Sequence, residues 1–324
     1  MRKTKAVLAI IAIVLMLAVG SVLVVFLARD SEHKKIVVTS YPIYDICREI
    51  LGSDEDIQLL QDDGSDLHAY APTTMDIASI SRAKLFVYIG GHSDSWVEGV
   101  VRAADNVNLR TLSLMSAVDP LHESTDNIIS GGQEHEGHDH EEHDDCIYDE
   151  HIWLSIRNMQ KMTNAVLKEL ILVYPHMEQM LKSNAEDYID RLAELDEQYK
   201  NITSSKDTTI VLADRFPLLY LAHDYGINFV AGYHGCSSDT QASPDLILNL
   251  IEVVKSNNLK YILQLEGSDG KIAQGVANGC GGNIRVLEIN SCQSIGGDKV
   301  NISYIDIMTS NLETIRMALN NEFN

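Results

Sequence analysis

The chain has 324 residues, 45% of them hydrophobic, which excludes global disorder and leaves enough material for two lobes. Its 25 basic residues stand against 47 acidic ones, a formal net charge of −22. Phosphate recognition needs clustered Lys and Arg, so a nucleic-acid partner is excluded, whereas a cation is favoured in the surrounding ion atmosphere.

The N-terminus sets the compartment. Met1-Arg2-Lys3-Thr4-Lys5 is basic, and residues 6–28 carry no charge. At about 1.5 Å per residue, that stretch is long enough to cross a hydrocarbon core of about 30 Å. The basic flank stays inside, so the remainder is expected on the extracytoplasmic face of the cell membrane. Residues 1–30 read as an uncleaved anchor, with a signal segment cleaved near Ala18-Val19-Gly20 as the alternative. No Cys lies in or just after the stretch, so a lipoprotein anchor is not expected.

A βα series follows. Residues 35–39 (KIVVT) read as a buried strand and 44–51 as a helix closed by Gly52. Residues 56–61 form a second strand. Residues 63–83 begin as a loop and become a helix near Thr74. Residues 85–89 (LFVYI) make a third strand, 95–104 a helix, and 109–114 a fourth strand. Strands alternating with helices predict a mainly parallel sheet, so residues 34–155 form a first α/β lobe. Within it, residues 131–146 (GGQEHEGHDHEEHDDC) are a polar, low-complexity loop that cannot build a core.

A helical section spans 156–206. One helix runs from 155 to 174 and is stopped by Pro175. A second, 177–203, carries Ala185, Tyr188, Ile189, Leu192, Leu195 and Tyr199 as one apolar stripe. At about 1.5 Å per residue it reaches about 40 Å, enough to link two lobes. A second α/β lobe occupies 207–324, with strands at 208–213, 227–231, 261–265 and 284–289. Its helices are expected at 216–224, 244–257, 271–278 and 303–320. The five cysteines give no clean disulfide framework; Cys280 and Cys292 bracket a turn and strand and are the one candidate bridge.

The chemistry lies in four places. The loop holds His135, His138, His140 and His143 among seven acidic residues, at irregular spacing. Imidazole suits zinc, copper and nickel, so the loop reads as a weak, multiple metal collector rather than a fixed cage; a solvated spacer is the plainer alternative. His68 sits in a loop after a strand, where open α/β sheets hold ligands. His151 ends the acidic loop just before a helix, anchored by Trp153 and Leu154. Asp214 follows the first strand of the second lobe, and Glu266 ends the strand YILQLE. Their plainer roles are an ion pair with Arg215 and helix capping. Two neutral imidazoles and two carboxylates would balance a divalent ion.

Taken together, these pieces resemble the zinc/manganese solute-binding proteins of bacterial ABC transporters, of the zinc-uptake type. The likeness runs over residues 35–320. It is carried by IVVTSYPIYDICREILG, DLHAYAPTTMDIASISRAKLFVYIGG, the His/acid-rich loop, DEHIWLS, the long helix, LADRFPLLYLAHDYGI, QLEGSDGKIA and SYIDIMTSNLETI. The resemblance implies two α/β lobes joined by a rigid long helix, with zinc, or alternatively manganese, held between them by His68 and His151. A monomer that hands its ion to an ABC permease is expected. Two departures stand out. Where family members often carry a third His or a Glu after the first strand of the second lobe, this chain has Asp214-Arg215. Where many place an acidic ligand before the last helix, it has Asn301-Ile302-Ser303, with Asp298 and Asp306 nearby. The rival readings are a zinc hydrolase and a surface adhesin of the same fold. Against the hydrolase, no HExxH, GxSxG or GxxxxGK(S/T) occurs in the chain.

Overall fold

The computed structural model describes residues 34–61, 67–123, 126–129, 148–204, 206–235, 243–293 and 302–323. The expected membrane segment, the loop at 131–146 and Asp298 lie outside the described residues. Among those described, no helix is long and apolar enough to cross a membrane.

Short runs of β-branched and aromatic residues become strands, and the segments between them become helices. In the first lobe these are β1 (Ile36–Val38), α1 (Tyr41–Leu51), β2 (Ile57–Leu59), α2 (Thr74–Arg82), β3 (Leu85–Tyr88), α3 (Val97–Ala104) and β4 (Arg110–Ser113). The helical section contributes α4 (Ile156–Val173) and α5 (Glu178–Thr203). The second lobe holds β5 (Ile210–Phe216), α6 (Leu219–Tyr225), β6 (Phe229–His234), α7 (Pro244–Ser256), β7 (Tyr261–Leu265), α8 (Lys271–Gly279), β8 (Arg285–Ile289) and α9 (Tyr304–Asn320).

Each lobe is a four-stranded sheet, ordered β2-β1-β3-β4 and β6-β5-β7-β8, and every named strand pair is parallel. The two orders are the same pattern. Each has a point where successive connections leave in opposite directions, and crevices for ligands open there, beyond the strand C-termini. The outer faces are covered by α2 and α3 in one lobe and by α7 and α8 in the other, each over its own apolar cluster. The inner faces share one cluster. It runs from Ile36 and Val38 of β1, through Met159 and Met162 of α4 and Tyr188 and Leu192 of α5, to Leu212, Leu263 and Leu312 of the second lobe. Each buried Leu or Ile there contributes about 1.5–3 kcal/mol.

The linking helix α5 buries Leu181, Ala185, Tyr188, Leu192, Leu195 and Tyr199, steps of three and four that form one stripe. Its tyrosines reach both lobes. Tyr188 donates to Asp45 Oδ2 in α1 at 2.9 Å, and Tyr199 donates to the Met308 carbonyl in α9 at 2.7 Å.

Two expectations change, and an acidic residue near the last helix takes a capping role. β5 does not stop at Ala213: its register with β6 shifts between Leu212 and Arg215, then resumes as Arg215↔Tyr233 and Phe216↔His234. Asp214 therefore sits at an irregularity inside the strand rather than in the loop after it. Cys280 and Cys292 are free thiols. Cys292 is fully buried in the shared inner cluster, whereas Cys280 packs at the end of α8 against the outer one, on the other side of the sheet. Asp306 caps α9, accepting from the Ser303 N–H and hydroxyl while its own N–H donates to Ser303 Oγ.

Candidate metal site

His68 lies in a single 3-10 turn, Leu67–Ala69, held by Leu67, which is 1% exposed. Five residues on, Thr73 and Asp76 close a capping box that starts α2 and fixes where the loop ends. The loop after β3 (Gly90, Gly91, His92, Ser93, Asp94) comes alongside. Gly90 has φ +100, a conformation open to glycine, and its N–H donates to Asp94 Oδ2 at 2.9 Å. Ser93 Oγ is 2.8 Å from His68 Nδ1.

His151 is fixed from its own side. Asp149 Oδ1 accepts the His151 backbone N–H at 2.8 Å and lies 3.1 Å from Nδ1. A carboxylate is only an acceptor, so in the neutral ring the proton sits on Nδ1 and the lone pair on Nε2. The chain then turns through Ile152–Leu154, all fully buried, into α4, whose cap is the Ser155 hydroxyl accepting from the Asn158 N–H at 3.0 Å. Trp153 Nε1 donates across to the Ser291 carbonyl of the second lobe at 2.8 Å, and Tyr304 donates to the Trp153 carbonyl at 2.6 Å. Tyr220 of α6 donates to the Asp149 carbonyl at 2.7 Å. The turn carrying His151 is thus clamped between the lobes.

These constraints bring the two imidazoles together. Their ring centres are 5.3 Å apart, with planes inclined at 61°. Zinc binds imidazole nitrogen at about 2.0–2.1 Å, so an ion sits about 3.2 Å from each ring centre and tetrahedral geometry places two such centres about 5.2 Å apart. The pair therefore has the spacing that one shared ion requires. The second lobe closes against it: a Cβ added to Gly235, just past β6, would meet His151 Cε1 at 3.3 Å and the Phe216 carbonyl oxygen at 2.8 Å.

The other expected residues take different positions. Asp214, 8% exposed, accepts the Arg215 N–H on Oδ1 at 2.8 Å. Glu266 turns both oxygens to Ser291, accepting its N–H at 2.9 Å and its hydroxyl at 2.5 Å. Burial raises the Glu266 carboxyl above its ordinary range, against the lowering effect of those Ser291 bonds. Among the described residues, no group of three or more His, Cys, Asp and Glu is clustered to hold an ion. His135, His138, His140 and His143 lie outside the described residues, but the chain on either side of them is placed. Ile128 pairs in parallel with Ala231 of β6, so the chain there runs toward the end where Gly235 meets His151. On the other side, Tyr148 stacks on His122, with ring centres 4.5 Å apart.

Sequence reasoning did not single out Asp149 and Ser93, the groups beside the two rings. Asp149 had a usable signal, two residues from His151, and Ser93 had none.

Known proteins show the same architecture. Among curated relatives, the high-affinity zinc uptake system protein ZnuA of Bacillus subtilis is 28% identical over 295 residues, covering 90% of each chain. The zinc-binding protein AdcA of Streptococcus pyogenes serotype M3 is 29% identical over 292 residues, 88% of this chain and 56% of that protein. The chain thus spans about half the length of that relative. Among solved structures, the metal-dependent lipoprotein YcdH from Bacillus subtilis superposes with a TM-score of 0.72 at 25% identity, covering 88% of this chain and 98% of that one. The Zn(II)-bound ZnuA-like domain of Streptococcus pneumoniae AdcA gives 0.70 at 25% identity, with the same coverage. Residues 36–318 match the model of the zinc-uptake complex component A, periplasmic (ZnuA), and the chain belongs to that family.

Proposed function

We propose that this protein captures a zinc ion between its two lobes on the outer side of the cell membrane and delivers it to the permease of an ABC importer. Zinc here is cargo, and the protein performs no chemistry on it. The carrying observation is the pair of imidazoles at the seam, with ring centres at the separation a shared tetrahedral ion needs. His68 and His151 bind through Nε2. The second lobe completes the shell with carboxylate oxygen. Asp214, which commits one oxygen to the Arg215 N–H, is better able to turn to an ion than Glu266, which commits both to Ser291.

The loop at 131–146 raises the local metal concentration, with His135, His138, His140 and His143 as weak, exchanging donors. The adjoining chain supports this role, because Ile128 pairs with Ala231 of β6 and Tyr148, three residues before His151, is held by its stack on His122. The uncharged stretch at 6–28 holds the molecule at the membrane, and the protein works as a monomer.

Calorimetric titration of chelator-stripped protein with zinc tests the reading. One tight site is expected. It survives deletion of 131–146 and disappears in His68→Ala/His151→Ala. Loss of all binding on loop deletion alone overturns the proposal.

A further inference from the structure

Behind His68 lies a buried carboxylate that the pairing of imidazoles does not use. Glu150 is 2% exposed. Its Oε1 accepts the Ser93 N–H at 2.9 Å. Its Oε2 is fully buried, has no hydrogen-bond partner among the described residues, and stands 3.9 Å from His68 Nδ1. The space for it is made by Gly91: a Cβ added there would lie 2.2 Å from Glu150 Cγ and 2.5 Å from Oε1. The Gly91 backbone is extended at φ −97, so alanine is conformationally allowed and would meet only the Glu150 side chain within 4 Å at its three closest contacts.

Two described groups beside His68 Nδ1 differ in one respect. The Ser93 hydroxyl can donate or accept, so it fits either imidazole tautomer. Glu150 as a carboxylate only accepts, and it favours the proton on Nδ1. With the proton there, Nε2 carries the lone pair an ion needs. We propose that Glu150 is a positioning residue for zinc capture, holding His68 in the Nδ1–H tautomer and moving onto that N–H when the ion draws on Nε2. Asp149 and Glu150, adjacent in sequence, then serve the two ligands separately: Asp149 sets His151 and Glu150 sets His68. Together they place one carboxylate behind each imidazole, in addition to the oxygen the second lobe supplies.

This inference rests on the proposed zinc site, and Glu150→Gln separates the two. The amide keeps the shape and an acceptor for the Ser93 N–H, but presents a donor toward Nδ1. His68 should then shift its proton to Nε2. Long-range proton–nitrogen spectra of zinc-free, nitrogen-15 histidine-labelled full chain read the tautomer directly, with His68→Gln assigning the signal. The wild type is expected as Nδ1–H and Glu150→Gln as Nε2–H. Zinc affinity, measured in competition with a chelator that strips the loop, should weaken by about 10–100-fold. Gly91→Ala should weaken zinc binding similarly, with no added effect in a Glu150→Ala background. An unchanged tautomer in Glu150→Gln, or unchanged affinity in a protein whose zinc site depends on His68 and His151, overturns the inference alone. A wild type with no His-dependent zinc site overturns both.

Discussion

Asp94 shows how the neighbourhood of His68 is tuned. It is 5% exposed, and burial pushes its carboxyl from 3.8 up to about 6; the Gly90 N–H opposes the shift and the Glu150 charge adds to it. A folded pKa above the unfolded one means the stabilising contribution is fully present below about pH 4 and is lost as pH rises through about 6. The shift corresponds to about 3 kcal/mol. Zinc-free Asp94→Asn should therefore lose less stability than the wild type between pH 4.5 and 7.5, as measured by urea unfolding. Equal losses in the two proteins would contradict this. At this scale the sequence was readable where the signal was local. His68 and His151 stood out as imidazoles at the edges of elements. Ser93 did not, because its role arises from a contact with Glu150 across 57 positions of chain, and no local pattern encodes such a meeting.

Elements were legible for a similar reason. Most strands of both lobes are short runs rich in Val, Ile, Leu and aromatics between turn residues, β4 (Arg110–Ser113) being the polar exception, and the α5 stripe repeats at helical spacing. β5 was read too short because Asp214 and Arg215 end its apolar run, while its continuation depends on pairing with Tyr233 and His234. The join between α1, α5 and α9 was invisible in the sequence. There Asp45, fully buried, takes Arg48 at 2.5 Å and the Tyr188 hydroxyl at 2.9 Å, and Tyr41 donates to the Ile302 carbonyl. Removing the Asp45 carboxylate leaves the fully buried Tyr188 hydroxyl without its acceptor and breaks the Arg48 ion pair. Asp45→Ala is expected to cost about 3–5 kcal/mol in urea unfolding. Tyr188→Phe should cost about 1–3 kcal/mol, through the partner it leaves unsatisfied. A cost below about 1 kcal/mol for Asp45→Ala would show that the pair does not hold these helices together.

For the whole molecule, the governing fact is that the inner cluster continues without a break from β1 through α4 and α5 to β7 and α9. Lobes sharing one core resist wide hinge motion, so the proposed site has a geometry largely fixed before any ion arrives. The sequence conveyed two lobes and a long helix, since both follow from alternation and periodicity. It did not convey how Gly235 closes on His151, because that contact depends on how the sheets are set against each other. The most direct test is anomalous scattering at the zinc edge from crystals of the protein grown with one equivalent of zinc. The account predicts a single strong peak about 2.0–2.1 Å from Nε2 of both His68 and His151, with the lobes arranged as in this structure. A principal peak away from this pair, or one bound through Nδ1 of either ring, would contradict it.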